Sequence, residues 1–389
     1  LRTRLQLDPV LLGMILTLLL GGFVVLASAS ISVSDNLTGE AFYYVERQLL
    51  AALIGATAGA ACLYIPMQVW RSTGPLMLLA GLALLFLVLL PGVGYEVNGA
   101  RRWIRFGVLN LQVSEPARLC FIMYLAGYLV RHNRDLRERF SGFLKPMIVL
   151  SIACAALLSE PDFGAAIVLL ATALTMLFVA GARVRDFLMF FAVATVAMAF
   201  LAVTSPYRMN RLTGFLDPWS DPYNSGFQLT QSLIAIGRGE WFGVGLGNGV
   251  QKLFYLPEAH TDFVFAVYAE EFGLAGSCVL IGLFAALLWR IFRLAIRAIE
   301  SDRSFEAYLA IGIGTWLGLQ AFINLGVNMG ILPTKGLTLP LISYGRSSLI
   351  VTMMALGMLL RIHHELVVDA SQPNRRRQRK AAAGRRARK

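Results

Sequence analysis

The fold class this sequence predicts is an all-α polytopic membrane protein of ten spans with both termini cytoplasmic. Mean hydropathy is +0.64 over 389 residues, of which 57% are hydrophobic and only 15% charged. Apolar runs of about 17–25 residues recur along the chain, the length that crosses a bilayer core. These runs do not alternate with period two, so helices rather than barrel strands satisfy their backbone polar groups.

The first span is expected at 10–29. Arg2, Arg4 and the triplet Ala27-Ser28-Ala29 imitate a secretory signal. An apolar core of about twenty residues is too long for one, so the segment is read as a retained helix. Spans at 49–65, 75–91 and 115–131 follow, then a short one at 146–158. SEPDFG makes a tight turn into 163–180, and 187–203 is the seventh. A large extracytoplasmic loop, about 204–272, separates it from 273–294, 307–327 and 346–362. With the N-terminus inside, 24 Lys and Arg fall on the cytoplasmic side, 10 outside, and Arg118 within a span. That is the asymmetry the positive-inside rule requires.

Residues 1–365 thus form one membrane domain, and 366–389 a basic, disordered cytoplasmic tail. Nine of the charges behind the net +12 sit in the last fifteen residues, beside a membrane span. Such a tail lies on an anionic leaflet and gives no reason to expect nucleic acid. The four cysteines, Cys62, Cys120, Cys154 and Cys278, fall in apolar segments without a paired motif and read as small buried hydrophobes.

Several constellations could carry chemistry. Glu115 and Arg118 share a helix face one turn into the membrane, either as a structural ion pair or as the lining of a polar cavity. Gln320, Asn324 and Asn328 form a polar stripe that suits interhelical hydrogen bonds as well as it suits a wet cavity. GVGLGNG (243–249) follows no strand and lies outside the membrane, so it is a loop or hinge rather than a phosphate cradle. His363 and His364 are adjacent on a helix and make a poor metal pair; they read as interfacial. In LPEAHTDFVFAVYAEE (256–271), Glu270 and Glu271 are expected to start a span and face headgroups. Asp262 is different: it sits at the membrane–water boundary after a long structured loop, a partly dry place suited to a general base.

Seven motifs, in order, carry a resemblance: NGARRWI (98–104), LQVSEPARL (111–119), EPDFG (160–164), R-x-x-R-x-x-x-F-x-D-P (208–218), GFQLTQSLIAIGRGEWFGVGLGNG (226–249), LPEAHTDFVFAVYAEEFGLAG (256–276) and INLGVNMGILPTKGLTLPLISYG (323–345). Over about residues 10–365 the chain resembles the SEDS family (shape, elongation, division, sporulation) of cell-wall polymerases. PTKGLTLPLISYG favours its division branch over the elongation branch, RodA. Two positions depart from the family pattern: Arg118 stands where Lys is usual, and Arg346 where a second Gly follows SYG.

The resemblance implies a peptidoglycan glycosyltransferase polymerising lipid II into β-1,4 glycan at the outer face of the cytoplasmic (inner) membrane, at the division septum. The donor sugar is α-linked, so one inverting displacement with one base suffices. It implies Asp262 as that base, with Glu115, Arg118 and His260 supporting it. Arg101, Arg102, Arg105, Arg208, Arg211 and Lys252 are candidates for the leaving pyrophosphate. No metal-ligand spacing is present, although a divalent cation (Mg or Mn) is compatible with the same task. Implied partners are the class B penicillin-binding protein FtsI and the regulators FtsQ, FtsL and FtsB. The alternatives are a lipid II flippase, an elongation-type polymerase and a non-catalytic scaffold.

Overall fold

The structure is a computed structural model that describes residues 5–371 except 98, 107–108, 205–208, 210–213, 225, 254 and 335. Arg208, Arg211 and most of the basic tail therefore lie outside the described residues. Every segment expected to span falls on a helix. Six of the described helices are long and apolar enough to cross a membrane, and two shorter ones are also apolar. The chain is a multi-pass membrane protein.

Helix α1 (Pro9–Thr38) starts where the sequence dictates. The Asp8 carboxylate caps the backbone N–H groups of Val10 and Leu11, with Pro9 in the first turn, and Gly39 closes the helix in the left-handed region. Helix α2 (Tyr43–Tyr64) carries Gly55-x-x-x-Gly59, which lets its backbone meet the last helix, α13 (Arg346–Ala370). A Cβ on Gly59 would stand 2.7 Å from the Met353 carbonyl oxygen. Helices α3 (Met67–Ser72) and α4 (Gly74–Leu89) lead to the segment between the third and fourth expected spans, expected to be a loop.

That segment is not a loop. Gly94–Val97 (β1), Ala100–Phe106 (β2) and Leu109–Gln112 (β3) form an antiparallel sheet in the order β1-β2-β3, so the fold is mostly but not wholly helical. In ARRWIRF, buried Ala100 and Ile104 flank exposed Arg101 and Arg105, a short strand signal obscured by the arginines.

Helices α5 (Ser114–Arg131), α6 (Asn133–Glu138) and α7 (Phe140–Ser159) follow. Helix α7 starts six residues before Pro146, where the span was expected to begin. Pro146 cannot donate to the Gly142 carbonyl, and the Tyr128 hydroxyl donates there instead (2.8 Å), so the helix passes through the proline. Helix α8 (Phe163–Val179) is capped by Asp162, and α9 (Val184–Val203) exposes most of its apolar side chains, as a lipid-facing helix does.

In the large loop, α10 (Phe227–Arg238) buries Leu229, Thr230, Ser232 and Ala235 and exposes its opposite face. Then come α11 (Val264–Glu300) and α12 (Ser304–Asn328); α12 is the central helix, with Trp316 fully enclosed.

Helix α11 begins nine residues before the expected span and breaks at Gly273 (φ 65°). Loop residues 240–245 fill the break. Val244 and Gly245 N–H donate to the carbonyls of Glu270 and Glu271 (3.0 and 3.1 Å). Leu274 and Ala275 N–H donate in turn to the carbonyls of Glu240 and Trp241 (2.8 and 3.0 Å). These are the groups that would have bonded to one another in an unbroken helix. The glycines of GVGLGNG permit this approach, since a Cβ on Gly243 would stand 2.1 Å from the Glu271 carbonyl oxygen.

Candidate active site

Asp262 lies in a tight turn just before α11. Glu258 takes the left-handed region (φ 57°), and its carbonyl accepts from the N–H groups of Thr261 and Phe263. Asp262 is half-buried, and a Cβ on Gly336 would stand 3.2 Å from its Oδ2. Its carbonyl accepts from the side-chain amides of both Asn324 (2.8 Å) and Asn328 (2.9 Å) on α12.

The polar stripe on α12 is thus a set of anchors for other segments. Asn324 also donates to the Leu337 carbonyl (2.7 Å), and Gln320 donates to the Thr338 carbonyl (2.9 Å). Gln320 Oε1 accepts from Arg118 Nη1 (3.2 Å) and from the Trp316 indole N–H (2.8 Å). Arg118 pairs with Glu115 at 3.3 Å, both buried, and its guanidinium lies 5.4 Å from the Trp316 ring centre. Arg118 and the Asp262 turn therefore dock on one face of α12, one helical turn apart, about 6 Å along the axis. Arg118 Nε and Nη2 are buried with no hydrogen-bond partner among the described residues.

The turn between α7 and α8 joins from the side. Arg102 donates to the backbone carbonyls of Glu160 (3.0 Å) and Pro161, tying the sheet to that turn. Asp162 accepts from the Gln112 side chain (3.4 Å), and a Cβ on Gly164 would touch Leu337. Glu160 is fully buried with neither carboxyl oxygen hydrogen-bonded among the described residues. Burial and the nearby Asp162 push its pKa up to about 9, against the pull of Arg102.

His260 stacks obliquely on Tyr44 (ring centres 4.4 Å apart) and lies 5.8 Å from Tyr344, whose N–H donates to the His260 carbonyl (2.9 Å). Burial lowers its pKa, opposed by Glu258, so the neutral imidazole is favoured. Tyr44 is in T-shaped contact with Tyr344, and Gln48 both donates to Ser343 and accepts from Gly345, fixing α2 against the end of the 334–345 segment.

The candidate phosphate binders divide. Arg101 is exposed and pairs with Glu96 at 3.1 Å, and exposed Arg105 covers the Tyr95 ring at 3.4 Å. Arg102 is committed to two carbonyls. Lys252 is buried and bonded to Glu271 and to Ser28 (2.7 Å), so it holds the loop together rather than facing a ligand. The expectation that Glu270 and Glu271 face headgroups is corrected: both are buried. Glu270 accepts from the N–H groups of Val250 and Gln251 (3.0 and 3.2 Å), and Glu271 accepts from Ser28 and Lys252. Hydropathy placed them at a helix start, but the break at Gly273 turns that first segment inward.

His363 and His364 join a second polar cluster at the far end of the helices. Asp8 pairs with Arg290 (2.7 Å) and lies 3.6 Å from His363, and His364 accepts from Gln6 N–H. Arg303 there bridges Glu306, Glu365 and Asp369. Among the described residues no three His, Cys, Asp or Glu side chains are grouped so as to hold a metal ion.

Sequence reasoning missed the place of Gly336 beside Asp262, of Leu337 on Asn324, and of Gln112 and Asp162 at the turn that packs on Leu337. Their motifs were visible, but only the packing of α12 against two distant turns brings them together.

The chain matches the family model described as Cell cycle protein, the FtsW/RodA/SpoVE family, over residues 9–367. It is 55% identical over 366 residues to the probable peptidoglycan glycosyltransferase FtsW of Thioalkalivibrio sulfidiphilus (strain HL-EbGR7), covering 94% of this chain and 92% of that protein. The protein of the same name from Coxiella burnetii (strain RSA 493 / Nine Mile phase I) is 51% identical over 350 residues, covering 90% and 94%. Among solved structures, the fold is similar to a chain reported under "Structural coordination of polymerization and crosslinking by a peptidoglycan synthase complex" (TM-score 0.77, 32% identity, covering 93% and 99%). It is also similar to the Thermus thermophilus rod shape determining protein RodA (TM-score 0.70, 31% identity, covering 93% and 98%). With a match that runs nearly end to end and relatives above half identity, the chain belongs to the FtsW/RodA/SpoVE family of cell cycle proteins.

Proposed function

We propose that this chain acts as its relatives are named, as a peptidoglycan glycosyltransferase, and that it polymerises lipid II with Asp262 as the general base. The observation that carries the reading is the Asp262 turn: a half-buried carboxylate whose peptide is pinned by two amides and whose oxygen abuts a glycine. The lack of a side chain on Gly336 lets its backbone lie close to the carboxylate. In the reaction, Asp262 takes the proton of the acceptor 4-hydroxyl as that oxygen attacks the donor's anomeric carbon. The C1–O bond to the lipid pyrophosphate breaks, its electron pair leaves with the phosphate, and configuration inverts from α to β.

The leaving group needs charge neutralisation, and the exposed guanidiniums of Arg101 and Arg105 are the described groups suited to it. Arg208 and Arg211 remain candidates from their motif. Arg118, buried against Glu115, brings positive charge to α12 one helical turn from where the Asp262 turn docks. A divalent cation would share the phosphate charge, but the step described uses only side chains of this chain.

The proposal includes ten spans, both termini cytoplasmic, and the Asp262 turn at the outer face, in a chain working at the division septum with a class B penicillin-binding protein, FtsI, and with FtsQ, FtsL and FtsB. A flippase is less well supported. Between the two polar clusters, α12 from Leu309 to Gly314 is buried and apolar and offers no polar side chain to a crossing sugar headgroup. Identity of 50–55% to relatives named FtsW, against 31% to RodA, supports the division branch.

The test is polymerisation of fluorescent lipid II by the purified protein with its penicillin-binding partner. Asp262→Asn and Asp262→Ala are expected to lose at least about 1000-fold in rate, the range a general base supplies. Glycan chains formed at the parental rate by both variants would overturn the assignment.

A further inference from the structure

We propose that Asn324 and Asn328 are positioning residues that set where the Asp262 carboxylate stands; the proposal rests on the general-base reading of Asp262. Asp262 precedes the N-cap of α11, and the first helical bond there runs from Ala266 N–H to the Phe263 carbonyl (3.1 Å). The helix therefore leaves the Asp262 carbonyl unclaimed. Two side-chain amides from successive turns of α12 converge on it and occupy both lone pairs.

Asn328 holds the turn from both sides. Its amide nitrogen binds the Asp262 carbonyl, and its oxygen accepts from Ala266 N–H (3.0 Å). Asn324 does something different. Its nitrogen divides two protons between the Asp262 carbonyl and the Leu337 carbonyl, so one side chain couples the turn to the segment that carries Gly336. Gly336 is the residue facing Asp262 Oδ2. The spacing between Gly336 and the Asp262 carboxylate is therefore set by one amide on a buried helix, with Asn324 and Asn328 each at most 1% exposed. The hydrogen bonds of both asparagines run to backbone groups and to each other, so their effect on chemistry passes through the position and environment of Asp262.

This predicts a particular kinetic signature. Asn324→Asp and Asn328→Asp keep the side-chain shape but replace a donor with an acceptor facing the Asp262 carbonyl. Each should lower kcat for lipid II polymerisation by roughly 10- to 100-fold, the scale of an ångström-sized misplacement, with KM within about twofold. Each should also move the acid limb of the kcat–pH profile, which reports the base. Asn324→Ser and Asn328→Ser, smaller and still polar, are measured alongside, so loss of one variant to misfolding leaves others to decide. Leu309→Ala, a buried truncation toward the other end of the same helix, is the control for lowered stability. It should lower the melting temperature and leave the acid limb where it is.

Folded asparagine variants with parental kcat and parental pH profile would overturn the proposal. So would Leu309→Ala reproducing their kinetics, because the effect would then be general loosening. Failure of the underlying reading looks different: Asp262→Asn itself would retain activity.

Discussion

Asp262 and the pair Glu270–Glu271 lie eight residues apart in one acidic stretch, and the fold treats them in opposite ways. Asp262 is held through its backbone carbonyl by Asn324 and Asn328, with its half-buried carboxylate beside Gly336. Glu270 and Glu271 are held by their carboxylates, which are consumed by backbone N–H groups, Ser28 and Lys252. A carboxylate bound by a loop's N–H groups and ammonium can staple that loop; a turn pinned through its peptide fixes where its carboxylate stands. The site thus depends on which atoms are tied, a distinction no hydropathy or charge count contains.

That contrast predicts a double dissociation. Asp262→Asn should abolish polymerisation while leaving the melting temperature near the parent's. Glu271→Ala should do the reverse first: it strands the Lys252 ammonium in a buried site and should cost about 3–5 kcal/mol of stability. Pairing it as Glu271→Leu with Lys252→Met should recover most of that loss, because an apolar pair leaves no uncompensated charge. Thermal melts of all four proteins in detergent decide this, and a double variant no more stable than Glu271→Ala would break the comparison. A smaller effect is expected at the break itself. Gly273→Ala puts a Cβ 2.4 Å from Gly243 N at a positive φ and should cost roughly 1–3 kcal/mol, read in the same melts.

Much of the helical framework was legible in the sequence because lipid imposes a length and a composition on every span. The Asp8-Pro9 cap and the Gly55–Gly59 contact could be read the same way, as local rules. The sheet was hidden because three arginines mask the alternation that puts Ala100 and Ile104 on one buried face. The inward turn of Glu270 and Glu271 was hidden because it depends on a glycine break filled by a loop thirty residues upstream. The stripe Gln320–Asn324–Asn328 was visible, yet its two readings, helix contact or wet cavity, were both incomplete. Its partners are backbone carbonyls of two turns that sequence spacing does not bring together.

Glu160 supplies a third arrangement and the finest test: a carboxyl buried like Glu271, but with no bonding partner among the described residues. Its pKa rises from an ordinary 4.5 to about 9, chiefly by burial. Between those two values the folded state holds a proton that the unfolded state has released. Stability from this group is therefore full below about pH 4.5 and falls as pH rises through the window. Glu160→Gln keeps the shape and removes the titration. The variant should melt above the parent at pH 8, with the gap shrinking toward pH 5. A gap of the same size at both values would mean that Glu160 is ionised in the folded protein and paired with a cation after all.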